Sequence, residues 1–207
     1  MTELQEYLRF LVTLTAVLDP FLAIPIFLGL TASHAARVRL ARAVTITVFL
    51  VLTGSALFGD ALLRLMGTSL PAFRVGGGLV LLLMALAMLN AEAGGVRQSP
   101  AEAKELESRA MSGIVPLAVP LLAGPGAIST TIIAAQAGGV AHQAALIVCI
   151  AIVCLVLWWM LRIADAVGPR MGTTGLNIAT RLLGLLLAAI AIQTMAEGLK
   201  VLFPGLA

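Results

Sequence analysis

Two proline-containing sequences interrupt apolar segments of this chain, one in each half. The first is Asp19-Pro20 and the second is Gly124-Pro125, 105 residues later. Proline has no N–H group and its ring clashes with the carbonyl four residues earlier, so a continuous helix is disrupted there. A new helix can then begin with Asp19 or Gly124 as its N-cap and with the proline at its first position.

A helix that begins inside an apolar segment can bind ions. Its first N–H groups and the positive end of its dipole attract a carboxylate or another anion. The loosened carbonyls before each break, at residues 17–18 and 122–123, could hold a cation or an ammonium group. Gly126 and Ala127 have little or no side chain, so a ligand could approach that backbone closely. Together these features predict a site for a small zwitterion.

Asp19 is the only ionisable residue deep within an apolar segment, and such carboxylates are costly and usually functional. It could carry a coupling proton, ligate a sodium ion, receive a substrate ammonium, or only cap the following helix. Ser129 and Thr130 follow the second break, where their hydroxyls could contact the ligand, bond their own backbone, or bond a neighbouring helix. Pro25 predicts a further kink after Pro20, without an equivalent in the second half.

The residues do not form the pattern of an enzyme. His34 and His142 are each predicted to lie alone in a loop, and no spacing of His, Cys and Asp suits a metal. An intramembrane hydrolase needs paired carboxylates or a Ser/His pair, but only Asp19 lies at that depth. We therefore expect no catalytic residue, no metal and no cofactor, apart from a coupling proton or sodium ion. Cys149 and Cys154 are predicted to be free thiols.

The composition identifies the solvent of these segments as lipid. Hydrophobic residues make up 60% of the chain, charged residues 11%, and the mean hydropathy is +1.07. Soluble domains are about 45–50% apolar and about 25% charged. A membrane span needs roughly 20 apolar residues. The predicted spans cover residues 10–30, 40–59, 75–90, 114–135, 143–161 and 182–203, and the third is short unless residues from Leu70 contribute.

Basic residues are divided unequally between the two sides of the membrane. The loops after spans 1, 3 and 5 carry nine, which are Arg37, Arg39, Arg42, Arg97, Lys104, Arg109, Arg162, Arg170 and Arg181. The other side carries four, which are Arg9, Arg64, Arg74 and Lys200. The positive-inside rule places the first set in the cytoplasm. The sequence thus predicts a multi-pass inner-membrane protein with both termini periplasmic. The net charge of +3 does not indicate nucleic-acid binding.

The two halves of the chain match beyond their breaks. Met66-Gly67-Thr68 recurs as Met171-Gly172-Thr173, again 105 residues apart. The offset then becomes 107, and the further pairs are Arg74 with Arg181, Gly77 with Gly184, and Met88 with Met195. Each copy has three spans, an odd number, so the second copy is inverted. The glycine cluster 76–78 is read as close helix packing.

These observations predict an all-α membrane protein with six transmembrane helices in two inverted three-helix repeats. The repeats cover residues 1–90 and 111–207, and residues 91–110 form a cytoplasmic linker. Spans 1 and 4 are predicted to be discontinuous. Two Pro/Gly-interrupted spans in matching positions indicate the substrate site of a transporter. The predicted substrate-binding residues are Asp19, Pro20, Gly124, Pro125, Gly126, Ala127, Ser129 and Thr130.

The motifs resemble those of the MarC family of integral membrane proteins over essentially the whole chain. The landmarks are Asp19-Pro20, the segment 69–74 (Ser-Leu-Pro-Ala-Phe-Arg), the segment 115–129 around Gly124-Pro125, and the segment 181–186 (Arg-Leu-Leu-Gly-Leu-Leu). One departure is Leu22, where the family usually has glycine. The resemblance implies six spans and, for some relatives, transport of small neutral amino acids such as glycine and alanine.

Two functions from different classes follow. The first is a secondary transporter of small neutral amino acids that holds its zwitterionic substrate at the two half-helix N-termini. The second is a non-transporting membrane scaffold or regulatory subunit, in which the kinks serve only packing. The lipid bilayer is a partner in both cases, no nucleic acid is expected, and the oligomeric state is left open.

Overall fold

The computed structural model describes residues 3–29, 34–90, 122–136 and 138–206, and most of these residues are helical. The α-helices are α1 (Glu3–Leu18), α2 (Pro20–Gly29), α3 (His34–Leu65), α4 (Leu70–Leu89), α5 (Pro125–Ala135), α6 (Val140–Arg162) and α7 (Ala164–Leu202), followed by a 3-10 turn over Pro204–Leu206. Five stretches of the described residues are long and apolar enough to cross a membrane. The all-α membrane class predicted from the sequence is therefore confirmed.

The outer surface of the helix bundle is apolar, as the surface of a membrane protein must be. Leu50 on α3, Leu155 on α6 and Leu185 on α7 are each more than 60% exposed. In water such surfaces would drive aggregation, whereas in a bilayer they contact lipid tails. The interior holds a second set of apolar side chains, including Leu14 and Phe27, which are completely buried.

The third and fourth predicted spans differ in how much of them is described. Helix α4 begins at Leu70, so the residues before position 75 do lengthen the third span, to 20 residues. Ser69 caps this helix, because its hydroxyl accepts a hydrogen bond from the Ala72 N–H at 3.4 Å. Helix α5 has 11 residues, about 16 Å, which is too short to cross a bilayer alone. The linker 91–110 and the first half of the fourth span lie outside the described residues.

Helices α4 and α7 pack against each other more extensively than any other described pair. A Cβ atom on Gly78 would lie 2.4 Å from Cγ of Met195, and one on Gly184 would lie 2.8 Å from Cβ of Met88. Residue numbers rise along α4, from Gly78 to Met88, while they fall along α7, from Met195 to Gly184. The two helices are therefore antiparallel. The reading of this glycine cluster as a site of close helix packing is confirmed for Gly77 and Gly78, both of which are buried against neighbouring helices.

Two glycines at matching positions in the halves share an unusual backbone conformation. Gly67 has φ +68° and Gly172 has φ +61°, and they lie 105 residues apart. Gly172 also has ψ 179°, a combination that essentially only glycine adopts. Each glycine ends one helical segment and leads into the next, so that α7 consists of two segments that meet at Gly172.

Charged side chains from distant parts of the chain meet at the two ends of the bundle. At one end Arg37 of α3 pairs with Asp165 of α7. At the other end Arg9 of α1 and Arg74 of α4 both approach Glu197 of α7. Arg37 belongs to the basic residues predicted to face the cytoplasm, whereas Arg9 and Arg74 belong to those predicted to face the other side. Each end of the bundle therefore carries basic residues of one predicted side.

Candidate functional site

The first helix break lies at Asp19, between the end of α1 at Leu18 and the start of α2 at Pro20. Asp19 has φ 42°, in the left-handed region, which aspartate tolerates better than most residues. Its N–H donates to the Thr15 carbonyl at 3.1 Å, and its own carbonyl accepts from the Ala23 N–H at 3.3 Å. The helical hydrogen bonds therefore continue on both sides, and the discontinuity is confined to one residue.

The Asp19 carboxylate is completely buried and caps α2. Its Oδ1 atom accepts a hydrogen bond from the Leu22 N–H at 3.2 Å, the contact expected of an N-cap side chain. The predicted capping role of Asp19 is confirmed, although an ordinary N-cap has extended rather than left-handed backbone. The first break thus supplies its own anion to the start of the new helix.

The second break also has proline at the first helical position, but its backbone is extended instead of left-handed, and Gly124 has no side chain to cap the helix. Helix α5 begins at Pro125 after Gly124, whose backbone is extended at φ −71° and ψ −179°. The first backbone hydrogen bond runs from the Ile128 N–H to the Gly124 carbonyl at 3.1 Å. The N–H groups of Gly126 and Ala127 therefore precede the hydrogen-bond ladder of the helix. Because both residues are buried, this helix start suits a bound anion.

The side of α5 that carries Gly126 and Ser129 faces α4. A Cβ atom on Gly126 would lie 2.5 Å from Sδ of Met84, and the Cβ of Ser129 lies 3.0 Å from the place a Cβ on Gly77 would occupy. A side chain at position 126 would therefore require the end of the Met84 side chain to shift. The contribution of Gly126 to a ligand site is restricted to its backbone N–H.

The threonine hydroxyls after the second break bond their own helix. Thr130 Oγ1 donates to the Gly126 carbonyl at 2.8 Å, and Thr131 Oγ1 donates to the Ala127 carbonyl at 2.8 Å. Both side chains are buried. In this conformation the Thr130 hydroxyl proton is used within the helix, and only its lone pairs remain for a ligand.

A shallow crevice runs along the first break. At no point is it wide enough for a water molecule. Its lining residues are Thr15, Leu18, Pro20, Val153, Val156 and Leu157. Pro20 is buried in this wall, whereas Pro125 at the second break is exposed. Helix α2 continues through Pro25 to Gly29, so the predicted kink at Pro25 does not end the helix.

The helices that flank the two breaks pack together in the same helix bundle. Helix α5, which starts at the second break, packs against α1, α3 and α4. Helix α1, which ends at the first break, packs against α5, α6 and α7. The helix before one break and the helix after the other are therefore direct neighbours.

One polar contact was not foreseen from the sequence, and it corrects the prediction for His142. This residue lies in the first turn of α6, not alone in a loop. The Tyr7 hydroxyl lies 3.0 Å from His142 Nδ1, and His142 Nε2 lies 3.0 Å from the Ala134 carbonyl oxygen. The imidazole at the start of α6 thus contacts both the start of α1 and the last turn of α5. No local sequence signal reveals a contact between residues 135 positions apart.

Comparison with known proteins matches the chain over nearly its full length. The family model described as "MarC family integral membrane protein" matches residues 4–203. The UPF0056 membrane protein YhcE of Escherichia coli is 36% identical over 203 residues, which cover 97% of this chain and 94% of that protein. The UPF0056 membrane protein YvbG of Bacillus subtilis is 34% identical over 199 residues, 94% of each chain. These names state no substrate. No solved structure matches the chain.

Proposed function

This chain belongs to the MarC family of integral membrane proteins, and we propose that it is a secondary transporter of small neutral amino acids rather than an enzyme. The observation that carries the proposal is the contrast between the two helix breaks. One holds a completely buried carboxylate, Asp19, and the other is a buried helix start without a side-chain cap. A zwitterion has one charged group suited to each.

In this proposal the substrate carboxylate binds the N–H groups of Gly126 and Ala127. The helix dipole and these two donors, which precede the hydrogen-bond ladder of α5, favour a negative charge there. The substrate ammonium group faces Asp19 and the carbonyls that precede the breaks. The substrate side chain must then be short, such as that of glycine or alanine, because Met84 and Leu81 of α4 pack closely against Gly126.

Transport then proceeds by rocking of one three-helix repeat against the other. The paired conformations of Gly67 and Gly172 support a duplication, as do the Gly78–Met195 and Gly184–Met88 contacts across α4 and α7. In this proposal a substrate reaches the first break only after the neighbouring helices move, because the crevice there is too narrow for water.

The proposed location is the inner membrane, with both termini periplasmic. Arg37 and Asp165 then lie at the cytoplasmic end, and Arg9, Arg74 and Glu197 at the periplasmic end. Asp19 has the position and chemistry to exchange a coupling proton or to bind sodium as the protein changes conformation.

The test is uptake of labelled glycine and alanine into proteoliposomes under an imposed proton gradient, a sodium gradient, or neither. Asp19→Asn is compared with Asp60→Asn, which removes an acid that is 45% exposed and paired with Arg64. We expect gradient-dependent uptake by the wild type and by Asp60→Asn, and loss of this uptake in Asp19→Asn. Uptake no faster than in empty liposomes under every gradient would reject the transporter.

A scaffold without transport activity is the second candidate, and one observation favours it. Gly126 and Ser129 face α4, and the Thr130 hydroxyl bonds its own helix, so packing alone can account for these residues. The two candidates differ in ligand binding. A transporter is stabilised against thermal unfolding in detergent by glycine or alanine, whereas a scaffold unfolds at the same temperature with or without them.

A further inference from the structure

Three charged residues from three helices converge at one end of the bundle. Arg9 Nη1 lies 3.8 Å from Glu197 Oε1, and Arg74 Nη1 lies 3.7 Å from Glu197 Oε2. Both distances are within the range of an ion pair but too long for a hydrogen bond. The two guanidinium groups are therefore attracted to one carboxylate without donating to it.

The hydrogen-bond donors of this cluster outnumber its acceptors. Each guanidinium carries five N–H donors. Glu197 Oε1 already accepts a hydrogen bond from Gln193 Nε2 at 3.1 Å. The Nε atom of Arg74 is buried from solvent and has no hydrogen-bond partner among the residues that the structure describes. Two positive charges with one negative charge between them leave an excess of one positive charge, so the cluster can accept a further anion.

The position of the cluster along the helices matches the level of lipid phosphates. Arg9 precedes Asp19 by ten residues of helix, about 15 Å, which is half the thickness of the hydrocarbon core. Arg74 lies in the second turn of α4, and Glu197 lies close to the end of α7 at Leu202. With the break near the bilayer centre, all three residues reach the interface. The side chains of Arg9 and Arg74 are 35% and 26% exposed, which leaves access for a headgroup.

We propose that Arg9 and Arg74 form a binding site for the phosphate group of an anionic phospholipid. Guanidinium forks match the geometry of phosphate oxygens, and basic pockets between transmembrane helices bind lipid headgroups. The bound phosphate would supply the acceptors that the cluster lacks and would connect α1 to α4. The site is separate from the two helix breaks and does not depend on the transport proposal.

The test is thermal unfolding of the full chain in a neutral detergent, titrated with phosphatidylglycerol, with phosphatidylcholine, or with inorganic phosphate. The double variant Arg9→Gln/Arg74→Gln is compared with Arg64→Gln, a control whose arginine belongs to the same predicted side of the membrane but is 79% exposed. We expect phosphatidylglycerol to stabilise the wild type and Arg64→Gln equally. In the double variant the lipid concentration giving half of this effect should rise at least tenfold.

Two results would overturn the proposal. An unchanged phosphatidylglycerol titration in the double variant would place the lipid elsewhere. Equal stabilisation by inorganic phosphate at the same concentration would make the cluster a site for free anions. If the double variant does not assemble, Arg74→Lys retains the charge but loses the planar fork. This variant should then require several times more phosphatidylglycerol for the same effect, and an unchanged requirement would reject the site.

Discussion

Replacing Asp19 with asparagine separates the charge of this residue from its role in the backbone. Asparagine tolerates the left-handed conformation seen at φ 42° and is as good an N-cap as aspartate, so it can keep the bond to the Leu22 N–H. It removes a carboxylate that is completely buried and therefore costly to desolvate. We expect Asp19→Asn to be at least as stable as the wild type and to lose coupled transport.

Alanine and glycine at position 19 show how much stability the N-cap side chain and the left-handed backbone each contribute. Loss of an N-cap side chain costs about 1 kcal/mol with alanine and only a few tenths with glycine. Alanine at a left-handed φ costs roughly 1–2 kcal/mol more, a term that glycine avoids. Asp19→Ala should therefore be about 2–3 kcal/mol less stable than Asp19→Asn, and Asp19→Gly should fall within about 1 kcal/mol of Asp19→Asn.

The assay combines unfolding of the four proteins in one detergent with their glycine flux in proteoliposomes. Equal stability of Asp19→Ala and Asp19→Asn would refute the assigned cap and the left-handed backbone. Wild-type flux in Asp19→Asn under the same gradients would refute the coupling role and leave Asp19 as an N-cap alone.

Three further predictions concern packing, strain and topology. Gly126→Ala should lower stability modestly, because its Cβ would lie 2.5 Å from Met84 Sδ and Met84 must shift to make room; an unfolding temperature equal to that of the wild type would contradict this packing. Gly172→Ala should lower the free energy of unfolding by about 1–3 kcal/mol, because alanine does not tolerate φ +61° with ψ 179°. Gly54→Ala should raise it, because Gly54 lies in the interior of α3 with free space around it. Equal effects of the two substitutions on unfolding would contradict this. A membrane-impermeant maleimide added to intact cells should label Lys200→Cys but not Arg170→Cys. The background should be low, because Cys149 and Cys154 are buried. The opposite labelling pattern would show that the proposed orientation is inverted.

The helix breaks were predictable from the sequence because their cause is local. Pro20 and Pro125 lack an N–H whatever surrounds them, and Asp19 and Gly124 are the residues directly before them. Both helices begin at the proline, as predicted. The helix ends were less predictable. Span 2 was placed at 40–59, but α3 runs from His34 to Leu65, because hydropathy reports where lipid begins and not where helical hydrogen bonds stop.

The contacts between helices could not be predicted from the sequence, for a different reason. Tyr7 meets His142, and Arg9 meets Glu197, only because their helices pack side by side. Each of these residues reads as an isolated polar side chain near the end of a span. The packing of Gly126 against Met84 also required the structure, since glycine after a break is equally consistent with a ligand or with a neighbouring helix.

The difference between the breaks bears on how an inverted repeat could work as a carrier. If both half-helices had carried an acidic cap, the two carboxylates would repel each other, and a substrate carboxylate would find no free donors. In the proposed transporter, Asp19 supplies a negative charge at one break and the helix start after Gly124 supplies a partial positive charge at the other. A zwitterion between them would neutralise both and so draw the repeats together. In that proposal, the sequence difference at one pair of equivalent positions sets the orientation of the substrate and favours closure around it.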